Sequence, residues 1–562
     1  MNTRHRLSTT NDNADRTTRR SFLAGLGGLG LVSFGTAAGR VRATTNSQAG
    51  TDPFTDLDEL EAVVDDVMAE RIGTTTPGAT VAIVSGKTPS LSKGYGTADV
   101  AAAVPVRADE TAFRVGSVGK LVTYTAVMQG VEQGVLDLDT DVNSYLGDSA
   151  VTVPETYDDP VTLRHLGTHT AGFESMLDPD IVADPAALDS LETVLVNQQP
   201  SRIRPPGDLV GYSNYGAALA GHVVAEAHDT TFEEYVQSEI LDPLGMTHST
   251  FAQPVPADQP GDLAAPHIRE GESFLTADGI YINMRPAGSL SATATDMAAF
   301  MSAHLGDGTV GDTQILDTAS AKTMHSRHHV RHPAVTNWRY GFHEYGVPDA
   351  NLIGHSGATV NFTSYLLLAP ADDIGVFVAY NSNPSDRPKT VVDEIVAELD
   401  LQAAPTTPAS TSRPGSQERA DTVAGEYSLT YLPQSGPLQV VDRLEHLTVD
   451  SIDNGRLRTT TLEGDARLWV EVEPYVYQEM GGHDVLAFEV SDGDVDVLNM
   501  NSEPTGVYLP VPVAERQLVT GSVLGTALSG FGLSLIGWGG HSVWRQWKHR
   551  RTDDDPTTED TE

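Results

Sequence analysis

Cysteine is absent from the 562 residues, and lysine occurs only six times, at positions 87, 93, 120, 322, 389 and 548. Without a thiol there is no disulfide, no zinc–thiolate centre, no cysteine nucleophile and no lipid-bearing cysteine behind a leader. The shortage of lysine beside 77 Asp and Glu leaves a formal net charge of −42. Nucleic acid and anionic membrane surfaces are thereby excluded as primary partners, because both would be repelled. The charge reads as a solvated acidic shell, a composition like that of proteins from salt-loving microbes. Stability is then expected to fall as salt is lowered.

Both chain ends read as address rather than chemistry. Arg-Thr-Thr-Arg-Arg-Ser-Phe-Leu over 16–23, with an apolar, glycine-rich run behind it, resembles a twin-arginine export signal, and 1–53 is taken as signal and leader. At the other end, Leu518 to Val543 carries no Asp, Glu, Lys or Arg. A stretch of that length matches ~30 Å of hydrocarbon, so 514–544 is expected to form a single transmembrane helix. Arg545, Lys548, Arg550 and Arg551 follow it, which places 545–562 on the cytoplasmic side and everything earlier outside the cell. Gly521 and Gly525, four apart, are a candidate pairing face for a homodimer through that helix.

A chain this long exceeds one compact core. From Phe54 the spacing of Leu57, Leu60, Val63, Val64, Val67 and Met68 predicts a helix, and Gly78–Gly96 a β-hairpin. Leu121–Gln133 is apolar on most sides and reads as a buried helix ending at Gly134. Helices are also expected over 217–227, 232–241, 294–305 and 389–399, and strands over 361–368 and 374–380. The order predicts an α+β unit over 54–401 whose sheet is built from both of its ends. A Pro/Ser/Thr-rich linker over 402–419 precedes a small all-β, barrel-like domain over 420–513.

Three short motifs carry the chemistry. Ser117 and Lys120, three apart where the buried helix opens, share one face within hydrogen-bond reach. A serine hydroxyl is a weak nucleophile until a neighbouring base takes its proton. A lysine forced into an apolar helix loses its charge more readily and becomes such a base. Tyr212-Ser213-Asn214 and His355-Ser356-Gly357 follow in order. The chain supplies decoys: Ser90-x-x-Lys93 lies in a strand, where positions three apart face opposite sides, and Tyr281-x-Asn283 and His304-x-Gly306 fall outside that order.

With Phe113-Arg-Val-Gly-Ser-Val-Gly-Lys, Val161-Thr-Leu-Arg-His-Leu-Gly-Thr-His-Thr-Ala-Gly, Tyr212-Ser-Asn-Tyr-Gly, Pro286-Ala-Gly-Ser-Leu and Gly354-His-Ser-Gly-Ala in view, 54–401 resembles the serine β-lactamase and penicillin-binding protein superfamily, in its class C β-lactamase and esterase/peptidase branch. The resemblance implies an antiparallel sheet joined to an all-helical subdomain, and hydrolysis of a small-molecule or peptide ester or amide without metal or cofactor. It makes Ser117 the nucleophile, Lys120 its activator and Tyr212 a proton shuttle. Asn214 would hold the substrate. The N–H groups of Ser117 and Ala358, beside Gly357, would form the oxyanion hole.

His355 departs from the pattern, because many relatives carry lysine there as a fixed cation. A histidine is only partly cationic near neutrality, so a substrate carboxylate should be held less firmly. His165 and His169 are assigned to loop packing, and His325, His328, His329 and His332 to a solvated loop rather than a metal site. Two other readings compete: an α/β-hydrolase with its nucleophile elbow at Ser356, and a surface binding protein that keeps the fold without the chemistry.

Overall fold

The computed structural model describes residues 57–175, 181–402, 413–434, 445–461, 464–513 and 516. Its centre is a seven-stranded antiparallel sheet. In chain order the strands are β1 (Gly78–Ser85), β2 (Thr88–Asp99), β3 (Val104–Pro105), β4 (His343–Tyr345), β5 (Leu352–Ala358), β6 (Thr363–Ala369) and β7 (Ile374–Tyr380), arranged 4-5-6-7-1-2-3. Pairing of β1 with β7 sets Ala79 opposite Tyr380, so the sheet joins segments some 300 residues apart. At the β1–β2 turn Gly86 and Lys87 both have positive φ, the backbone of a tight mirror-image hairpin turn.

β1 is buried along its whole length because both of its faces are covered. Ala79, Val81 and Ile83 pack with helices α1 (Leu57–Ala69) and, near the end of the unit, Pro388–Glu398. Ala82 and Val84 pack on the other side, into a larger core shared with the helical region. That region contains α2 (Lys120–Glu132), α3 (Asn214–His228) and α4 (Ala294–Leu305). Every residue of α2 from Lys120 to Gly130 is buried, so it is a central rather than an amphipathic helix.

After a short helix, Ser416–Val423, the chain builds a closed barrel of eight antiparallel strands, β8 to β15, between Gly425 and Pro510. It docks on the first unit through its 501–507 segment: Asn501 Oδ1 accepts from the Thr336 N–H at 2.7 Å, and the Pro504 carbonyl from the Trp338 indole at 2.8 Å.

The expected membrane helix is corrected. The segment 514–544 lies, apart from Arg516, outside the described residues, and among the described residues no helix is long and apolar enough to cross a membrane. Membrane anchorage with an extracellular catalytic domain, and dimerisation through that helix, are withdrawn with it. The twin-arginine segment also lies outside the described residues.

Candidate functional site

Ser117 sits in a single 3₁₀ turn, Gly116–Gly119, that feeds directly into α2. Neither that turn nor α2 has a side-chain N-cap bond, so the Ser117 hydroxyl is not used as a helix cap. Ser117 is half-buried, whereas Lys120 at the first position of α2 is fully enclosed. The Lys120 Nζ has three neighbours: Ser117 Oγ at 2.9 Å, Asn214 Oδ1 at 2.8 Å and the Ala287 carbonyl at 2.5 Å. Among the described residues no carboxylate is paired with it. Burial therefore holds the Lys120 amine well below the ordinary lysine range. When it is deprotonated, the amine has two N–H bonds and one lone pair. The two carbonyl oxygens can only accept, so they take both hydrogens, and the lone pair is left for the Ser117 O–H.

Tyr212 and Asn214 flank the N-cap of α3. Ser213 Oγ accepts from the Gly216 N–H at 3.0 Å, and the Ser213 N–H donates to His169 Nδ1 at 3.2 Å. This cap starts the helix at Asn214, three residues before the apolar run that predicts it. The Tyr212 phenol is hydrogen-bonded to the Ser117 side chain, and burial raises its pKa well above 10, so it is a neutral O–H. Lys120 Nζ lies 5.0 Å from its ring centre. Asn214 is exposed at the rim; with Oδ1 held by Lys120, its NH₂ is the end left for a ligand.

β5 brings the third motif to the same place. Gly116 has φ +54°, and a Cβ there would meet the Ala358 nitrogen at 2.7 Å. A Cβ on Gly357 would lie 2.0 Å from the Val115 carbonyl oxygen. Only glycines let the strand end press against the Ser117 turn, setting the Ala358 N–H beside it. His355 points inward from the same strand and is 2% exposed. Its Nδ1 donates to the Ser356 carbonyl at 2.6 Å, while Nε2 is buried with no hydrogen-bond partner among the described residues. Burial pushes its pKa well below 6.5, so the imidazole is neutral and presents an acceptor, not a cation.

His169 is a packing residue, and what it packs against is the site. It adopts φ +56°, and its ring lies 4.3 Å from that of Tyr212 and 4.7 Å from that of Trp338. Together with His355, 6.0 Å from the Tyr212 ring, these groups wall in the phenol. His165 serves its own turn, its Nδ1 accepting from the Thr162 N–H. The other histidines also differ from a solvated loop: His325 Nε2 meets His304 Nδ1 at 3.1 Å, and the His328 N–H bonds the Trp338 carbonyl. Among the described residues no group of three or more His, Asp and Glu is placed to hold a metal.

The decoys have structural partners. Lys93 bridges to Glu61 and Asp65 on α1, and Asn283 Oδ1 accepts from the Asp189 N–H. Ser356 is exposed in mid-β5, paired opposite Tyr365, and no helix follows it, which removes the elbow geometry an α/β-hydrolase needs. A cavity of about 130 Å³ opens past Ala358, lined by Arg114, Tyr281, Thr359, Asn361 and Phe362. Burial brings the Arg114 pKa down to about 10, and its guanidinium donates to Gln253 Oε1 at 2.8 Å.

Comparison with known proteins bears on the family and the fold. Penicillin-binding protein 4 of Amycolatopsis lactamdurans is 30% identical over 324 residues, covering 55% of this chain and 81% of that protein. Protein flp of Staphylococcus aureus (strain N315) is 24% identical over 321 residues, 56% of this chain, which spans only 61% of the flp length. Among solved structures, an octameric penicillin-binding protein homologue from Pyrococcus abyssi superposes with a TM-score of 0.53 at 23% identity, covering 81% of this chain and all of that one. SurE gives a TM-score of 0.58 at 22% identity, covering 81% and 99%. At these identities the two structures speak for the fold alone. The Beta-lactamase family model matches residues 60–401, and the chain belongs to the serine β-lactamase and penicillin-binding protein superfamily.

Proposed function

We infer that the protein is a serine hydrolase that cleaves an ester or amide through an acyl-enzyme on Ser117. The observation that carries this reading is the Lys120 amine, enclosed, uncompensated and bonded to two carbonyl acceptors with its remaining valence toward the Ser117 hydroxyl. In the proposed reaction Lys120 takes the Ser117 proton as Oγ attacks the substrate carbonyl carbon. The resulting oxyanion is met by the N–H groups of Ser117 and Ala358, a kind of contact whose loss typically lowers turnover by ~10²–10³. The Tyr212 O–H gives its proton to the leaving group and is reprotonated from the Lys120 ammonium. Water then attacks the acyl carbon, gives its proton to the same pair, and Ser117 Oγ leaves with a proton regained.

The substrate class follows from His355. A neutral, buried imidazole supplies no cation to clamp a substrate carboxylate. Neutral short-chain esters and amides therefore fit better than penicillin-like anions. The test is a fluorophosphonate probe followed by a panel of esters, D-amino-acid amides and a chromogenic cephalosporin. Labelling and turnover lost together in Ser117→Ala support the reading. Labelling that survives that change, or an enzyme inert to probe and panel alike, overturns it, the latter in favour of a binding protein.

A further inference from the structure

Tyr212 lies on an irregular stretch ahead of α3, and its own unit leaves that stretch only partly tied. Two backbone groups of 210–212 are satisfied from the barrel instead. The Tyr212 N–H donates to the Thr505 carbonyl at 2.8 Å, and the Val210 carbonyl accepts from Thr430 Oγ1 at 2.6 Å. Thr430 Oγ1 in turn accepts from the Val507 N–H at 3.0 Å, so one buried hydroxyl joins the tyrosine stretch to two barrel segments. Gly211 forms a β-bridge with Gly506.

The aromatic packing has the same origin. Tyr431 of the barrel meets the Tyr212 ring edge-on, with centres 5.8 Å apart. Val210, Tyr212 and Trp338 form a small apolar cluster of their own, and Tyr431 packs against it. Trp338 hangs its indole N–H on the Pro504 carbonyl. Arg331, 8% exposed, donates from one nitrogen to the Glu503 and Gly506 carbonyls at 2.7 and 3.0 Å, which pins the turn that makes these contacts. A domain that served only as a spacer would touch the first unit somewhere unrelated to the phenol.

We propose that the eight-stranded barrel is a working part of the hydrolytic site, with Tyr431 and the 503–507 turn as positioning elements that hold the Tyr212 phenol at Ser117. Tyr431 touches no reacting atom; it acts through Tyr212. A proton shuttle must sit within hydrogen-bond reach of the atoms it serves, and a displacement of ~1 Å lowers turnover by as much as ~10²-fold. Asn214 Oδ1 is held by Lys120, and the oxyanion N–H groups sit on the Ser117 turn and β5 of the first unit. The effect therefore falls on kcat more than on KM.

The inference rests on the Ser117 reading, and the experiment separates the two. Tyr431→Ala, Tyr431→Phe and Thr430→Val are made in the full chain, and each preparation is titrated with a fluorophosphonate so that rates are expressed per labelled Ser117. The expected result is a fall in kcat per labelled site of about 10- to 100-fold for Tyr431→Ala. KM should change less, and kcat should acquire an altered pH profile. Tyr431→Phe, which keeps the ring, should restore the wild-type rate, and Thr430→Val should lower kcat in the same sense. A wild-type kcat per labelled site with an unchanged pH profile in both Tyr431→Ala and Thr430→Val overturns the inference while leaving the hydrolase standing. Absence of labelling and turnover in the wild-type chain overturns the Ser117 reading itself.

Discussion

The Lys120 amine stands 2.9 Å from the Ser117 hydroxyl, and its other two partners are carbonyl oxygens that can receive a hydrogen but never give one. The arrangement suits a base, not an ion pair. Lys120→Met should keep the packing and remove the base, lowering kcat/KM for a neutral ester by ~10²–10⁴. Lys120→Arg is the sharper test, since a guanidinium stays protonated at every accessible pH. An arginine variant that kept wild-type turnover would show that the proton leaves Ser117 by another route.

Acidity should follow the same residue. The protonated amine cannot accept, so activity requires the deprotonated form, and kcat/KM must rise with pH along a one-proton limb. Because burial holds the Lys120 pKa well below 10.5, that limb lies below the ordinary lysine range. His355 is already neutral, its pKa lowered by burial. His355→Gln should then change the rate without moving the limb, and a limb that moved would assign it to the imidazole.

How much of this was legible in the chain depended on distance along it. Ser117 and Lys120 are local, and the 3₁₀ turn running into α2 sets them together as the spacing required. The two-sided burial of β1 and β7 likewise follows from the apolar runs Val81–Val84 and Val376–Tyr380. The helix expected over 232–241 is less regular than its pattern: it is α-helical only over Phe232–Val236, then widens over Gln237–Leu241, where the Asp242 N–H reaches back to the Gln237 carbonyl. His169 could not be ranked above His165 from sequence, because its value lies in stacking on Tyr212, which comes near only in the fold. The bond from Tyr212 to Thr505 spans nearly 300 residues, and no local pattern announces it.

Charge repulsion makes a separate prediction. A net charge of −42 destabilises the compact state by self-repulsion. The ion pairs on the surface, such as Lys322 with Asp307 and Lys87 with Asp373, are too exposed to offset it. Raising salt from ~0.1 M to ~1 M shortens the screening length from about 10 Å to about 3 Å. The melting temperature should climb over that interval, with NaCl and KCl nearly equivalent. A flat or falling Tm would mean that the acidic shell carries no net strain.

Gly357 offers the most direct probe of the oxyanion geometry. The Cβ of an alanine there would come within 2.0 Å of the Val115 carbonyl and 2.3 Å of Ser364 Oγ, groups already bonded to one another at 2.7 Å. Neither the backbone nor a buried hydroxyl so held yields easily, so β5 must withdraw from the Ser117 turn and carry the Ala358 N–H with it. Gly357→Ala should lower kcat by ~10²–10³, the loss expected for one oxyanion donor. It should also destabilise the fold by about 1–3 kcal/mol, the ordinary penalty of overpacking. Gly354 sits on the same strand, with the Leu366 carbonyl 2.5 Å from its missing Cβ, but farther from Ser117. Gly354→Ala should therefore match the stability loss and spare most of the rate. Equal loss of rate in both variants, measured per folded molecule, would mean that the Ala358 N–H is not the donor.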